Sequence, residues 1–121
     1  MNKRKQMLTS NSKALEYLLS NDFDQIYLKP HRDTRKKFNH EFIHTKEGKY
    51  QITDFFNLFD GFCYDVSGLF YWIQIKTDNW ANENEIKKFF TSRYGRVLSI
   101  NVRKPTKTIK KYRVDVRRLV F

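Results

Sequence analysis

The sequence predicts a small α/β domain: a mixed sheet of about five strands with two helices, in the order α-β-β-β-α-β-β, packed as two layers. Three observations carry this. Strand-like runs, of which LFYWIQIKT is the strongest, are interspersed with two segments of helical periodicity. A length of 121 residues suits one domain with one modest core. Phe, Tyr and Trp make up 17% of the chain, and such large side chains give much burial per ordered residue, which excludes a disordered polymer.

Each element has its own signal. Residues 1 to 8 are basic and are expected to fray. From about Ser10 to Ser20, Leu15, Leu18 and Leu19 fall on one helical face, with Thr9, Ser10 or Ser12 available as caps and Asn21-Asp22 as the stop. Gln25 to Leu28 reads as a short strand closed by Pro30. Residues 31 to 53 are polar and carry no assignable period. Residues 59 to 77 read as a β-hairpin turning at Asp65-Val66-Ser67-Gly68. Asn82 is placed to cap a second helix with Ile86, Phe89 and Phe90 as its apolar stripe, and Gly95 to end it. Val97 to Val102 and Tyr112 to Phe121 complete the sheet.

Charge narrows the partner. The chain holds 24 Lys and Arg against 13 Asp and Glu, a net of +11, which suits a polyanion. DNA or RNA comes first and an anionic membrane surface second, because no basic amphipathic helix and no apolar stretch of about 18 residues is present. The single cysteine, Cys63, excludes a disulfide framework and a cysteine-based zinc site and lies in an apolar run, so an intracellular protein with a buried thiol is expected. His31, His40 and His44 sit in one polar stretch and read as solvated loop residues or phosphate contacts.

The chemistry concentrates on the hairpin. Side chains alternate along a strand, so Phe70, Trp72, Gln74 and Lys76 share a face. Asp60, Phe62 and Tyr64 share a face on the other arm, and a turn near Ser67 brings Asp60 towards Gln74 and Lys76. Two arrangements suit these residues. Hard oxygen ligands can hold Mg²⁺ beside a cation, as phosphodiester hydrolysis requires. Alternatively, Asp60 and Lys76 form a buried ion pair bonded to Gln74, with no metal.

The element order, the run Phe59-Asp60-Gly61 and the run Ile73-Gln74-Ile75-Lys76-Thr77 resemble the PD-(D/E)xK nuclease superfamily, most closely the archaeal and viral Holliday-junction resolvase-like nucleases. Ala14-Leu15-Glu16 lies upstream where some members carry a helical glutamate. The resemblance implies a restriction-endonuclease-like fold and a Mg²⁺-dependent endodeoxyribonuclease, with Mn²⁺ able to substitute. It implies branched or junction DNA as substrate and a homodimer as the working form. By the same resemblance Asp60, Gln74, Glu16 and the Ile75 carbonyl would hold the metal, and Lys76 would be the catalytic lysine. Phe59 stands where the family name has proline, and Gln74 where it has an acid, which removes a negative charge. A nucleic-acid-binding protein on the same fold without catalysis is the alternative. The basic segment with Arg32, Arg35, Lys36 and Lys37 would contact phosphates, and Arg93, Arg103 and Lys104 would extend that surface.

Overall fold

The computed structural model describes residues 3–29, 41–45, 48–52 and 58–121. Helix α1 (Lys3–Ser20) leads into strand β1 (Phe23–Leu28), followed by β2 (Glu41–Thr45), β3 (Gly48–Ile52), β4 (Gly61–Asp65) and β5 (Phe70–Thr77). Helix α2 (Glu83–Phe89), β6 (Arg96–Arg103) and β7 (Arg113–Val120) complete the chain. Five strands form one sheet in the order β1-β4-β5-β6-β7, while β2 and β3 pair separately. Neighbours are antiparallel except β5 and β6, which run parallel, and helix α2 lies in the connection between them.

The small mixed α/β architecture and the central place of β5 follow the sequence. The layering does not. Helix α1 lays Ala14 and Leu18 on the face formed by Cys63, Tyr71, Ile73, Leu98, Ile100 and Val102. The other face carries Phe59, Trp72 and Val97 against Ile86 of α2 and Phe90, its C-cap. The helices therefore sandwich the sheet in three layers, not two. The reason lies in β6, where Val97 to Val102 are all buried: a strand buried on both faces needs cover on both.

Three local expectations change. Helix α1 begins at Lys3, so residues 3 to 8, expected to fray, are helical, and Ser10 is buried with its hydroxyl against that of Thr77 instead of capping. Strands β2 and β3, in a stretch with no assignable sequence period, pair antiparallel with Thr45 opposite Gly48. Helix α2 starts as expected, with the Asn82 side chain accepting from the Asn84 and Glu85 amides, but ends at Phe89. Gly95 has a different role: a Cβ there would lie 2.5 Å from the Phe90 ring, so glycine is what lets that ring pack. Cys63 is buried, and desolvation pushes its thiol up to about 12, leaving it protonated and inert.

Candidate active site at the open end of a hairpin

The two arms of the β4–β5 hairpin part company at Asp60. Their ladder runs from Tyr64–Phe70 to Gly61–Ile73, and the Asp60 amide donates to the Ile73 carbonyl (2.7 Å). Beyond this point the Ile75 amide donates to Asp60 Oδ2 (2.7 Å), so a carboxylate occupies the place that the next backbone carbonyl of β4 would take. Strand β1 fixes Asp60 from the other side through Lys29 N–H to Asp60 O (2.8 Å). The approach is close: a Cβ at Gly61 would stand 2.0 Å from the Tyr27 carbonyl oxygen, which requires glycine immediately after the aspartate.

Gln74 and Lys76 flank Ile75 on the face turned away from α1. Gln74 is 7% exposed, and its Oε1 is buried without a hydrogen-bond partner. In register beside it on β6 sits Ser99, whose buried Oγ also lacks a partner. Two such orphans on adjacent strands are unusual, because an unsatisfied buried acceptor costs about 1–3 kcal/mol and typically marks a site that takes water, an ion or a reacting group. Lys76 is exposed and pairs in register with the buried Asn101, whose Oδ1 accepts from the Asn79 amide (2.9 Å). Its exposure removes the buried Asp60–Lys76 ion pair as an account of the hairpin. Sequence reading did not find Ser99 or Asn101. Their signal is polar residues on alternate positions of the apolar run Arg96–Arg103, on the face that Gln74 occupies.

Glu16 lies elsewhere. It is exposed on α1, the helix covering the opposite face, and its carboxylate pairs with Lys13 (3.4 Å). The inward positions of that helix are Ser10, Ala14 and Leu18, four residues apart, and Glu16 falls two residues off that row. Among the described residues no group of three or more His, Cys, Asp or Glu side chains gathers where it could hold a metal ion. The structure therefore brings together Asp60, Gln74, Ile75 and Lys76, but not Glu16.

The outlying cations divide similarly. Arg32, Arg35, Lys36 and Lys37 lie outside the described residues. Arg103 is tied to Asp115, and Lys104 lies 3.7 Å from Asp78 and 3.4 Å from Gln6. Arg93 donates to the Phe89 carbonyl (2.8 Å) and lies over the Phe89 ring. Arg117 and Arg118 occupy opposite faces as the alternation requires: Arg117 stacks on Trp80 at 3.9 Å, and Arg118 lies over Phe23 at 5.0 Å. Salt bridges and stacking of this kind leave a cation less able to turn towards a phosphate.

No family model, curated protein or solved structure matches this chain. No described helix is long and apolar enough to cross a membrane.

Proposed function

We propose that the chain is a metal-dependent DNA endonuclease of restriction-endonuclease-like architecture, cutting phosphodiester bonds at the Asp60–Gln74–Lys76 site with a preference for branched or junction DNA. The observation that carries this is the Asp60 carboxylate clamped to the Ile75 amide where β4 leaves β5, with Gln74 and Lys76 on either side of that contact. Within the five-stranded sheet the order α1-β1-β4-β5-α2-β6-β7, with its parallel β5–β6 pair, adds support from the fold, as does a net charge of +11.

The oxygen set suits a hard cation. Asp60 supplies a carboxylate and Gln74 an orphaned amide oxygen. Ile75 supplies a carbonyl on the strand edge to which its own amide points, since the N–H and C=O of one strand residue lie on the same side. Mg²⁺ is commonly held by one or two carboxylates and keeps several waters, so these residues fit it, although weakly for want of a second acid. Bound there, Mg²⁺ or Mn²⁺ would polarise the phosphate and acidify a water. The chain's own residues do the rest. The Ile75 amide orients the Asp60 carboxylate, and the Lys76 ammonium binds a phosphate oxygen and offsets the charge that develops on it.

Incubation of the protein with labelled junction, flap and linear duplex DNA, with and without Mg²⁺ or Mn²⁺, tests the proposal. Metal-dependent cutting is expected, and Lys76→Ala should bind DNA but cut at least about a hundredfold more slowly. Undiminished cutting by Lys76→Ala would remove the site from the mechanism. One observation favours a second reading, a DNA-binding protein without catalysis: the gathered residues include a single carboxylate, because Glu16 faces away. Tight binding with no cutting in any divalent ion would select that reading. Paired cuts across a junction would need two copies of the chain, which light scattering on the protein–DNA complex would reveal.

A further inference from the structure

The sheet face that carries Asp60, Gln74 and Lys76 is paved with aromatic rings over its β1–β4–β5 half. Tyr27 stacks on Phe62 (centroids 5.4 Å, 26° between planes), and Phe62 stacks on Phe70 (5.6 Å, 30°). Tyr64 meets Phe70 edge-on at 5.4 Å, Phe70 meets Trp72 at 5.1 Å, and Trp72 stacks on Phe59 at 5.3 Å. Burial is graded along this row. Phe59 is wholly buried beneath α2, Trp72, Phe62 and Phe70 are half-buried, and Tyr27 and Tyr64 are 39% and 40% exposed. The row also leads into the proposed site, because Phe62 shares a face with Asp60 two residues away, about 7 Å along the strand.

An aromatic surface on one face of a sheet suits a flat, apolar partner, and the charge of the chain says which. A second copy would bring two bodies of +11 together, whereas a polyanion is drawn in. A cation borders the polar end on the same face, Lys76, four residues beyond Trp72. Rings for bases and an ammonium group for phosphate together recognise single-stranded nucleic acid. Duplex bases are hidden in their own stack and cannot lie on such a surface without being unpaired.

We propose that this face binds a single-stranded DNA segment, its bases stacked on the Tyr64–Phe70 region, leading into the phosphate held at the Asp60–Lys76 end. The inference rests on the nucleic-acid reading of that site and adds its substrate class: DNA with unpaired nucleotides beside the scissile bond.

Fluorescence anisotropy in EDTA at one fixed salt concentration tests it, using a thymidine oligomer of ~20 nucleotides, a duplex of equal length and a uridine oligomer. Tyr64→Ala should lose roughly tenfold in affinity for the thymidine oligomer while duplex affinity is unchanged. Tyr64→Phe, which keeps the ring, should bind as the wild type does. In the unaltered protein, the thymidine oligomer should quench Trp fluorescence more than the duplex does. Four results would overturn the proposal: thymidine affinity indifferent to Tyr64→Ala, a parallel loss for duplex, tighter binding of uridine than of thymidine, or a wild-type dimer that Tyr64→Ala dissociates. Because no metal or cleavage enters the measurement, its failure is distinct from that of the nuclease reading. Metal-dependent cutting together with Tyr64-independent binding sinks this inference alone.

Discussion

The two ends of the β4–β5 hairpin each carry an aspartate, and the two aspartates face opposite demands. At the closed end Asp65 Oδ1 accepts from Ser67 N–H (3.0 Å), Ser67 Oγ (2.6 Å) and Leu69 N–H (2.9 Å), and its Oδ2 accepts from the Tyr71 hydroxyl (3.4 Å). Those bonds lie within the turn, and they hold its carboxyl below the usual range, the Ser67 hydroxyl contributing most. At the open end Asp60 replaces a backbone partner for Ile75, and Gln74 beside it has a buried oxygen that the protein leaves unsatisfied. Local hydrogen bonding has been completed where the chain must turn and left incomplete where β4 and β5 diverge. Polar groups that do not serve the fold in this way are where function is to be sought.

The largest effect expected from this contrast is on catalysis. Asp60→Asn keeps an oxygen acceptor for the Ile75 amide, so the fold should survive with little change in denaturation midpoint. The lost charge should reduce cutting of junction DNA by about a hundredfold or more, measured as kcat/KM at saturating Mg²⁺. If Asp60→Asn cut as well as wild type, Asp60 would be as structural as Asp65 and the contrast would collapse.

Much of this was legible in the sequence, for identifiable reasons. The period-2 run Phe70–Thr77 and the turn at Asp65-Val66-Ser67-Gly68 place Asp60, Gln74 and Lys76 on one face without any structure. The layering is harder to read because β6 alternates apolar Leu98, Ile100 and Val102 with polar Ser99 and Asn101, the pattern of a strand covered on one face, yet all five are buried. Glu16 illustrates the limit. Leu15 and Leu19 suggested an apolar face beside it, yet both are exposed, and Ala14 and Leu18 are the residues that pack. Register on a helix with mixed hydrophobicity is decided by tertiary packing, and an error of one or two residues carries a carboxylate to the wrong side. Ser99 escaped notice because an isolated serine in a strand gains meaning only from its neighbour across the sheet.

A smaller effect sharpens the comparison from the side of stability. Gln74→Leu replaces an unsatisfied buried amide with an apolar group of similar volume. It should leave the unfolding free energy unchanged or raise it by up to ~1 kcal/mol, read from urea denaturation at constant slope. Cutting should fall in the same protein, so that stability and activity move in opposite directions. Gln74→Glu should shift the cutting optimum to lower Mg²⁺ concentration by restoring an acidic ligand. A Gln74→Leu variant that was markedly less stable would show that the amide contributes to the fold and that no oxygen was left open for a ligand.

The smallest effect belongs to the closed end and is a matter of pH. Asp65 has a lowered carboxyl pKa in the folded protein, so the unfolded chain binds its proton first as pH falls. Its contribution is therefore fully present above the unfolded-state value of roughly 3.9 and is lost as pH drops through the lower folded-state value. Wild type and Asp65→Asn should then differ by a few degrees in Tm near pH 7, with the gap narrowing below about pH 4. The difference stays small because the carboxylate is only half-buried and water screens its contacts. Cutting by Asp65→Asn at neutral pH should match wild type. A variant that folded normally yet lost activity would make the turn part of the site, and the division of the hairpin into a folding end and a working end would fail.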